Sequence, residues 1–215
     1  MDFIDCALIH PFTCLFVGAT QSGKTYQVVD LIRRRKEIID TPLDRVIVVY
    51  SFFQPIFHTL ESDPSVVFTN NIEDLDTLAT PQSLVVCDDQ MDIISKNQSA
   101  RELMTSFFIK KSHHLGISTI CLVQNMYADH FRDINRNTNY IFFFDLQSDK
   151  AVLVWKGRQC APGHPGFLLD AYQKAMDTRD FSYLMLDFHP RRKFKKYWAR
   201  SHLDPVPEME VYVPK

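Results

Sequence analysis

The sequence of 215 residues lacks several features that mark membrane, fibrous or strongly basic proteins. No apolar run approaches the roughly 18 residues that a membrane-spanning helix needs. Six glycines against 11 prolines exclude a collagen-like or glycine-rich flexible chain. The net charge is only −2, so the chain has no overall basic field. Any contact with nucleic acid therefore has to come from a local patch.

The five cysteines have no spacing that is typical of a metal or redox site. No pair is separated as in C-x-x-C, and no cysteine–histidine spacing resembles a zinc site. Cys14, Cys87 and Cys121 fall in apolar runs, which predicts buried thiols in a reducing compartment. The acidic first five residues do not resemble a secretory signal. We therefore expect a soluble, intracellular protein.

Short apolar runs alternate with longer polar stretches along most of the chain. Because several runs are apolar on both strand faces, they predict a mainly parallel sheet that helices cover on both sides, a three-layer α/β fold. We expect one domain over residues 1–190 and a basic, aromatic extension of it over 191–215. The predicted strands are 12–17, 45–50, 66–68, 83–87, 118–123, 140–144, 151–155 and 183–186, and the predicted helices are 25–36, 100–111 and 167–176.

A phosphate-binding loop is the most specific motif in the sequence. It occupies residues 18–25 and reads Gly18-Ala19-Thr20-Gln21-Ser22-Gly23-Lys24-Thr25. The glycines permit a tight loop and a close approach of backbone N–H groups to phosphate, at the N-terminus of a helix. Lys24 is predicted to contact the β- and γ-phosphates of ATP, and the Thr25 hydroxyl to ligate Mg²⁺. The alternative, a glycine turn without function, does not explain why a strand precedes the motif and a helix follows it.

Polar residues follow two of the predicted strands. Asp88 and Asp89 come directly after the strand at 83–87, and Gln124 comes after the strand at 118–123. Ligands bind at the carboxyl edge of such sheets. We assign Asp88 to Mg²⁺, Asp89 to polarising the attacking water, and Gln124 to the γ-phosphate. The alternatives are that Asp89 caps the next segment and that Gln124 satisfies a loop.

Three pieces of the sequence are more specific than the loop alone. They are HPF at 10–12 leading into residues 18–25, VVCDD at 85–89, and HHLGIS at 113–118 running on to LVQN at 122–125; YS at 50–51 with QP at 54–55, and LDFHP at 186–190, are weaker signals. Together they resemble the genome-packaging ATPases of double-stranded DNA viruses, in the poxvirus and polinton-like branch of the HerA/FtsK superfamily. The resemblance covers residues 8–190.

The resemblance implies a P-loop NTPase of the additional-strand type, in which the strand before Gln124 lies between the phosphate-loop strand and the Asp88 strand. It implies an ATP-hydrolysing, ring-forming motor that translocates double-stranded DNA into a capsid and contacts a capsid protein. Such a motor works in an infected host cell, in the cytoplasm or nucleus, or with the virion. By position, Lys24 and Thr25 match the phosphate and Mg²⁺ residues, Asp88 the metal-site acid, Asp89 the catalytic acid and Gln124 the sensor.

Two features depart from the family pattern. The superfamily usually has Glu at the position of Asp89, and many relatives have an arginine finger where residues 110–114 read KKSHH. Arg101, Arg132 and Arg136 are the candidates for a finger that acts on a neighbouring protomer. We favour Arg136, because residues 133–139 resemble the family's segment after the sensor.

Two other classes of function remain open at this stage. One is a nucleotide-gated DNA-binding or capsid-docking adaptor with weak ATPase activity. The other is a P-loop kinase, which needs an acceptor pocket and usually an arginine-rich lid. The basic stretch that begins at Arg191 has aromatic residues between its cations and so resembles a nucleic-acid surface more than a lid. Stimulation of ATP hydrolysis by double-stranded DNA distinguishes the motor from both.

Overall fold

A computed structural model describes residues 6–127, 131–147, 149–178, 181–193, 198–203 and 209–214. The strands are β1 Thr13–Val17, β2 Arg45–Tyr50, β3 Val66–Thr69, β4 Ser83–Asp88, β5 Ser118–Val123, β6 Tyr140–Phe143, β7 Leu184–Asp187, β8 Ala199–Arg200 and β9 Val211–Tyr212. The helices are α1 Lys24–Arg33, α2 Arg35–Ile38, α3 Leu75–Leu78, α4 Met91–Lys96, α5 Gln98–Ser106, α6 Ser112–Leu115, α7 Arg132–Arg136, α8 Ala151–Cys160 and α9 Phe167–Met176. A π-helical stretch, Phe107–Lys111, joins α5 to α6, and two 3₁₀ helices cover Pro55–Leu60 and Ile72–Asp74.

The described strands form one sheet in the order β3-β2-β4-β5-β1-β6-β7-β8-β9. The strands from β3 to β6 in this order are parallel, and β7, β8 and β9 are antiparallel. Every residue of β1, β4 and β5 is buried, as expected for central strands that are covered on both faces. The predicted α/β fold with a mainly parallel sheet is confirmed.

The position of β5 determines how the sheet edge is arranged. It pairs in parallel with β1 on one side, where Val123 lies opposite Val17, and with β4 on the other, where Cys121 lies opposite Cys87. The additional-strand order is therefore confirmed. Because the three strands are parallel, their carboxyl ends meet at one edge, which brings the segments that follow them together.

Side chains of alternate strand residues enter two separate cores. Cys121 of β5 packs in one core with Phe107 and Leu168 from the helices on that face, while Ile120 packs in the other with Leu31 of α1. The alternation follows from the two-residue period of a strand. Helices therefore cover both faces, as the three-layer prediction requires. Among the described residues, none of the helices has the length and apolar character needed to span a bilayer.

The strand predicted at 151–155 is wrong, because this segment is the first half of α8. Its five residues form a short apolar run, which does not distinguish a strand from a buried helix. A longer window shows the helical spacing, since Val152, Leu153 and Gly157 are buried while Trp155 is exposed. A Cβ at position 157 would lie 2.9 Å from the carbonyl oxygen of Pro165, so glycine allows α8 to approach the segment before α9.

The basic stretch from Arg191, which is predicted to bind nucleic acid, is only partly a surface feature. Arg192 Nε and an Arg200 guanidinium nitrogen lie 2.6 and 2.9 Å from Asp187 Oδ2, and all three side chains are buried. These two cations are therefore not available to phosphates. Of the predicted patch at 191–198, Arg191 and Lys193 are exposed, and the segment 194–197 lies outside the described residues.

We expect Asp187→Asn to lower the free energy of unfolding by about 3–5 kcal/mol, because it leaves two buried guanidinium groups without their carboxylate. The matched control is Asp92→Asn, which removes the exposed partner of Lys96 and should cost less than about 1 kcal/mol. Urea unfolding of both variants checks this. Equal small losses would mean that the buried cluster contributes nothing beyond a surface pair.

Candidate functional site

The phosphate loop joins β1 to α1, and two of its glycines have a steric role. A Cβ at position 18 would lie 2.8 Å from both Phe144 Cβ and Ser22 Oγ, so the loop can pass this point only with glycine. Gly23 has a φ of 94°, in the region that favours glycine. The Gly18 N–H donates to the carbonyl oxygen of Val123 at 3.2 Å, which fixes the loop to the end of β5.

Lys24, the first residue of α1, lies against the inside of the loop. Its Nζ donates to the carbonyl oxygens of Gly18 and Ala19, both at 2.7 Å. Partial burial lowers the pKa of Lys24, while the nearby carboxylates of Asp88 and Asp89 oppose that shift. A cation that is partly removed from water, next to the N-terminus of a ten-residue helix, forms a setting that favours phosphate.

Asp88 ends β4 and contacts the first turn of α1. Each of its carboxylate oxygens lies 3.4 Å from Thr25 Oγ1, and Gln54 Nε2 donates to Oδ2 at 2.8 Å. Burial and then the charge of Asp89 raise the pKa of Asp88 to about 6, against the opposing effects of Thr25, Lys24 and Gln54. The carboxylate is thus held close to the Thr25 hydroxyl although its charge is unfavourable there.

This donor set suits a magnesium ion. Mg²⁺ prefers oxygen ligands and is usually bound by one or two protein groups together with the phosphates of a nucleotide. The Thr25 hydroxyl and the Asp88 carboxylate supply such oxygens side by side, next to the phosphate loop. A divalent cation also stabilises the charged form of a buried carboxylate whose pKa is raised. These two residues fit the ion.

Asp89 follows β4 and is exposed in a left-handed backbone conformation, with a φ of 54°. Ser51 Oγ donates to its carbonyl oxygen at 2.6 Å, and Gln90 Nε2 donates to Ser51 Oγ at 3.0 Å, so the turn is fixed to the end of β2. The residue at the N-cap of α4 is Gln90, and that cap has no side-chain hydrogen bond. Asp89 therefore does not cap the next helix, which was the structural alternative.

One cleft of about 510 Å³ brings most of the predicted site residues together. We call it the strand-edge cleft, since it lies at the carboxyl ends of β1, β4 and β5. Asp88, Asp89 and Gln124 line it together with residues 20–25 of the phosphate loop. Gln124 follows β5 directly and is exposed. The cleft thus combines a cation, a hydroxyl, two carboxylates and an amide around a space that can hold a polyphosphate.

The arginine candidates lie elsewhere. Arg136 and Arg132 are exposed on α7 and line a separate cavity of about 670 Å³, which also includes Lys156. The Arg101 guanidinium donates to the carbonyl oxygens of Ile94 and Ser95 at 3.2 and 2.7 Å, so it is engaged at the end of α4. No arginine among the described residues lines the strand-edge cleft.

Two residues of the cleft had little or no signal in the sequence. Gln54 contacts both Asp88 and Thr25, and it appeared only in the weak QP signal at 54–55. Phe181 also lines the cleft, but it lies more than 150 residues after the phosphate loop and belongs to no motif. Only the antiparallel return of the chain into β7 brings Phe181 to this edge.

Comparison with solved structures identifies the fold. The genome packaging NTPase B204 from Sulfolobus turreted icosahedral virus 2, in complex with sulfate, is 14% identical, with 92% of this chain and 98% of that chain covered and a TM-score of 0.58. Its complex with ATP-gammaS is 15% identical over 83% of this chain and 92% of that chain, with a TM-score of 0.53. The cytoplasmic domain of the Thermomonospora curvata Type VII secretion ATPase EccC is 15% identical over 81% of this chain but 24% of that chain, with a TM-score of 0.56.

No protein-family model and no curated protein matches the chain. The structural likeness establishes that the chain has the P-loop NTPase fold. A viral packaging NTPase shares this fold, as the motifs predicted, and the predicted class of enzyme, a P-loop ATPase, agrees with the similar structures.

We expect Asp88→Asn to stabilise the chain at pH 8. The pKa of this carboxyl is about 6 in the folded chain against an ordinary 3.8, so folding favours its protonated form. Stability from this group is therefore present below about pH 4 and is lost as pH rises through 6, at a cost of up to about 3 kcal/mol. Urea unfolding at pH 8 and pH 5 checks this prediction. The gain in the free energy of unfolding of Asp88→Asn over the wild type should be smaller at pH 5 than at pH 8.

The Asp92→Asn variant serves as the control, because Asp92 is exposed on α4 and does not line the strand-edge cleft. A loss of stability in Asp88→Asn at pH 8 would contradict the raised pKa of Asp88.

Proposed function

We propose that this chain is an ATP-hydrolysing motor that translocates double-stranded DNA, and that it packages a viral genome into a capsid. The observation that supports the proposal is the strand-edge cleft, in which the phosphate loop, Asp88, Asp89 and Gln124 meet. The P-loop NTPase fold, which the viral packaging NTPase B204 shares, supports it further. In this role the protein acts inside an infected cell and contacts a capsid protein.

The proposed chemistry divides the cleft between binding and hydrolysis. Lys24 and the backbone N–H groups of the loop bind the β- and γ-phosphates, and Thr25 with Asp88 holds Mg²⁺. When bound, the ion neutralises charge on the phosphate oxygens. Asp89 orients the attacking water and accepts its proton, and Gln124 donates to the γ-phosphate. The two carboxyl groups suit different roles, because Asp88 is buried against Thr25 while Asp89 is exposed.

Gln54 is a further residue for this chemistry. Its amide donates to both Asp88 Oδ2 and Thr25 Oγ1, so it holds the two proposed magnesium-binding groups in a fixed relation. Such a residue acts through the groups that it orients. Its contacts explain why a glutamine follows β2 at this point in the chain.

The proposed motor works as a ring, in which a finger from one protomer completes the site of the next. Arg136 is the candidate. The cavity that it lines also contains Arg132 and Lys156 but no carboxylate among the described residues. Burial lowers the pKa of Lys156, because its ammonium group is partly removed from water. Three cations around one cavity favour an anionic partner, and the phosphates of a neighbouring nucleotide provide one.

The first test measures ATP binding and hydrolysis in two cleft variants. Lys24→Ala removes the cation from the phosphate loop and should abolish both. Asp89→Asn keeps the shape of the side chain but removes the charge that orients water, so it should bind ATP and hydrolyse it about 10²–10⁴-fold more slowly. The control Asp92→Asn, on exposed α4, should keep the wild-type rate. Hydrolysis by Asp89→Asn at that rate would remove Asp89 from the role.

The same assay, repeated with double-stranded DNA over a range of protein concentrations, tests the motor itself. DNA should raise the rate of ATP hydrolysis. The increase should be larger at the higher protein concentrations, at which protomers assemble. An absence of stimulation at every concentration would favour the adaptor.

The finger is tested by mixing variants that are inactive alone. Arg136→Ala protomers keep an intact cleft, and Lys24→Ala protomers keep an intact finger. Mixed rings should therefore regain part of the ATPase rate, because an intact cleft can meet an intact finger. A finger typically raises that rate about 10³–10⁵-fold. Arg101→Ala is the control and should hydrolyse ATP without a partner variant, because Arg101 is engaged at α4. Mixed rings of folded protomers that show no recovery would eliminate Arg136.

A further inference from the structure

Two large aromatic side chains are exposed beside the phosphate loop. Tyr26 lies in the first turn of α1 and is 60% exposed, and Phe181 precedes β7 and is 61% exposed. Their rings are stacked, with centroids 6.3 Å apart and planes inclined by 30°. A pair of exposed aromatic rings at the rim of a cleft offers flat apolar faces that a second flat group can cover.

The ring of Phe181 is held in place over the end of the loop. Its backbone has a φ of 54°, an uncommon conformation for a residue with a bulky side chain. A Cβ at position 23 would lie 2.8 Å from Phe181 Cδ1, so the ring packs directly on Gly23. Strained backbone conformations of this kind concentrate at binding sites.

Phe181 also lines two cavities. One is the strand-edge cleft with Lys24, and the other is a cavity of about 570 Å³. Gln21, Ser22 and Phe181 line both cavities. Gln173 and Asp177 line the second cavity but not the cleft, and their side chains can accept hydrogen bonds from an amino group. A ligand with a polyphosphate at one end and a flat, polar-edged ring at the other therefore matches the two spaces.

We propose that Phe181, supported by Tyr26, is the platform on which the base of the bound nucleotide stacks, with the nucleoside in the second cavity. The inference rests on the proposed binding of ATP and adds to it the residues that bind the base. It concerns binding alone, since neither ring lies among the groups proposed to act on the γ-phosphate. Stacking of a base on an aromatic side chain contributes enough affinity to be measured by substitution.

The experiment compares the affinities of ATP and of inorganic tripolyphosphate, both with Mg²⁺, by calorimetry. Tripolyphosphate supplies a chain of three phosphates but lacks the whole adenosine, ribose and base. Phe181→Ala should bind ATP about 5- to 150-fold more weakly and should bind tripolyphosphate as the wild type does. Phe181→Leu keeps bulk over Gly23 but has no aromatic face, so it should resemble Phe181→Ala, whereas Phe181→Trp should restore ATP affinity.

Phe52→Ala is the control, because Phe52 is 75% exposed and lines neither cavity. Its ATP affinity should be unchanged. An unchanged ATP affinity in Phe181→Ala would overturn the platform, and so would an equal loss of affinity for ATP and tripolyphosphate. In either case wild-type binding of both ligands leaves the proposed phosphate site intact. If the wild type binds neither ligand, the proposed function fails and the platform fails with it.

Discussion

Parallel pairing of β5 with β1 on one side and β4 on the other is the constraint on which the site depends. The phosphate loop, the acidic pair and Gln124 are far apart in sequence, and each follows the carboxyl end of one of these strands. Pairing in this order brings the three ends to a single edge. Burial of both strand faces in two apolar cores fixes the register, since a slip of one residue would exchange those faces. The strand-edge cleft is therefore a consequence of the sheet.

Within that edge, the least favourable group for stability is also the most useful one for the proposed function. Asp88 is buried beside a second acid, and this raises its pKa to about 6. Thr25 and Gln54 orient the carboxylate but do not fully compensate it. A bound divalent cation would compensate the charge of this carboxylate. Because the cation binds only the folded chain, its binding would also stabilise the fold. Asp89 likewise adopts a left-handed backbone conformation that Ser51 and Gln90 support. Strain and uncompensated charge are concentrated where the proposed chemistry occurs.

The sequence predicted correctly those strands and helices whose residues form a strong local pattern. The strand at 118–123 and the helix at 167–176 have the predicted bounds, because a mostly apolar run rich in β-branched residues and a regular helical spacing leave little ambiguity. The segment 151–155 was mistaken for a strand, since five apolar residues do not distinguish a strand from the start of a buried helix. Contacts between distant segments could not be predicted from the sequence. The antiparallel part of the sheet brings Phe181 beside Gly23, and it brings Arg192 and Arg200 to Asp187.

In the proposed function, the sheet edge between β1 and β4 binds a nucleotide together with a magnesium ion. The most direct measurement is a crystal structure with a non-hydrolysable ATP analogue and Mn²⁺ in place of Mg²⁺, with the metal located by its anomalous scattering. We expect one strong peak beside Thr25 and Asp88, next to the phosphates that Lys24 would bind. A nucleotide bound outside the strand-edge cleft, or a metal peak away from both Thr25 and Asp88, would contradict it.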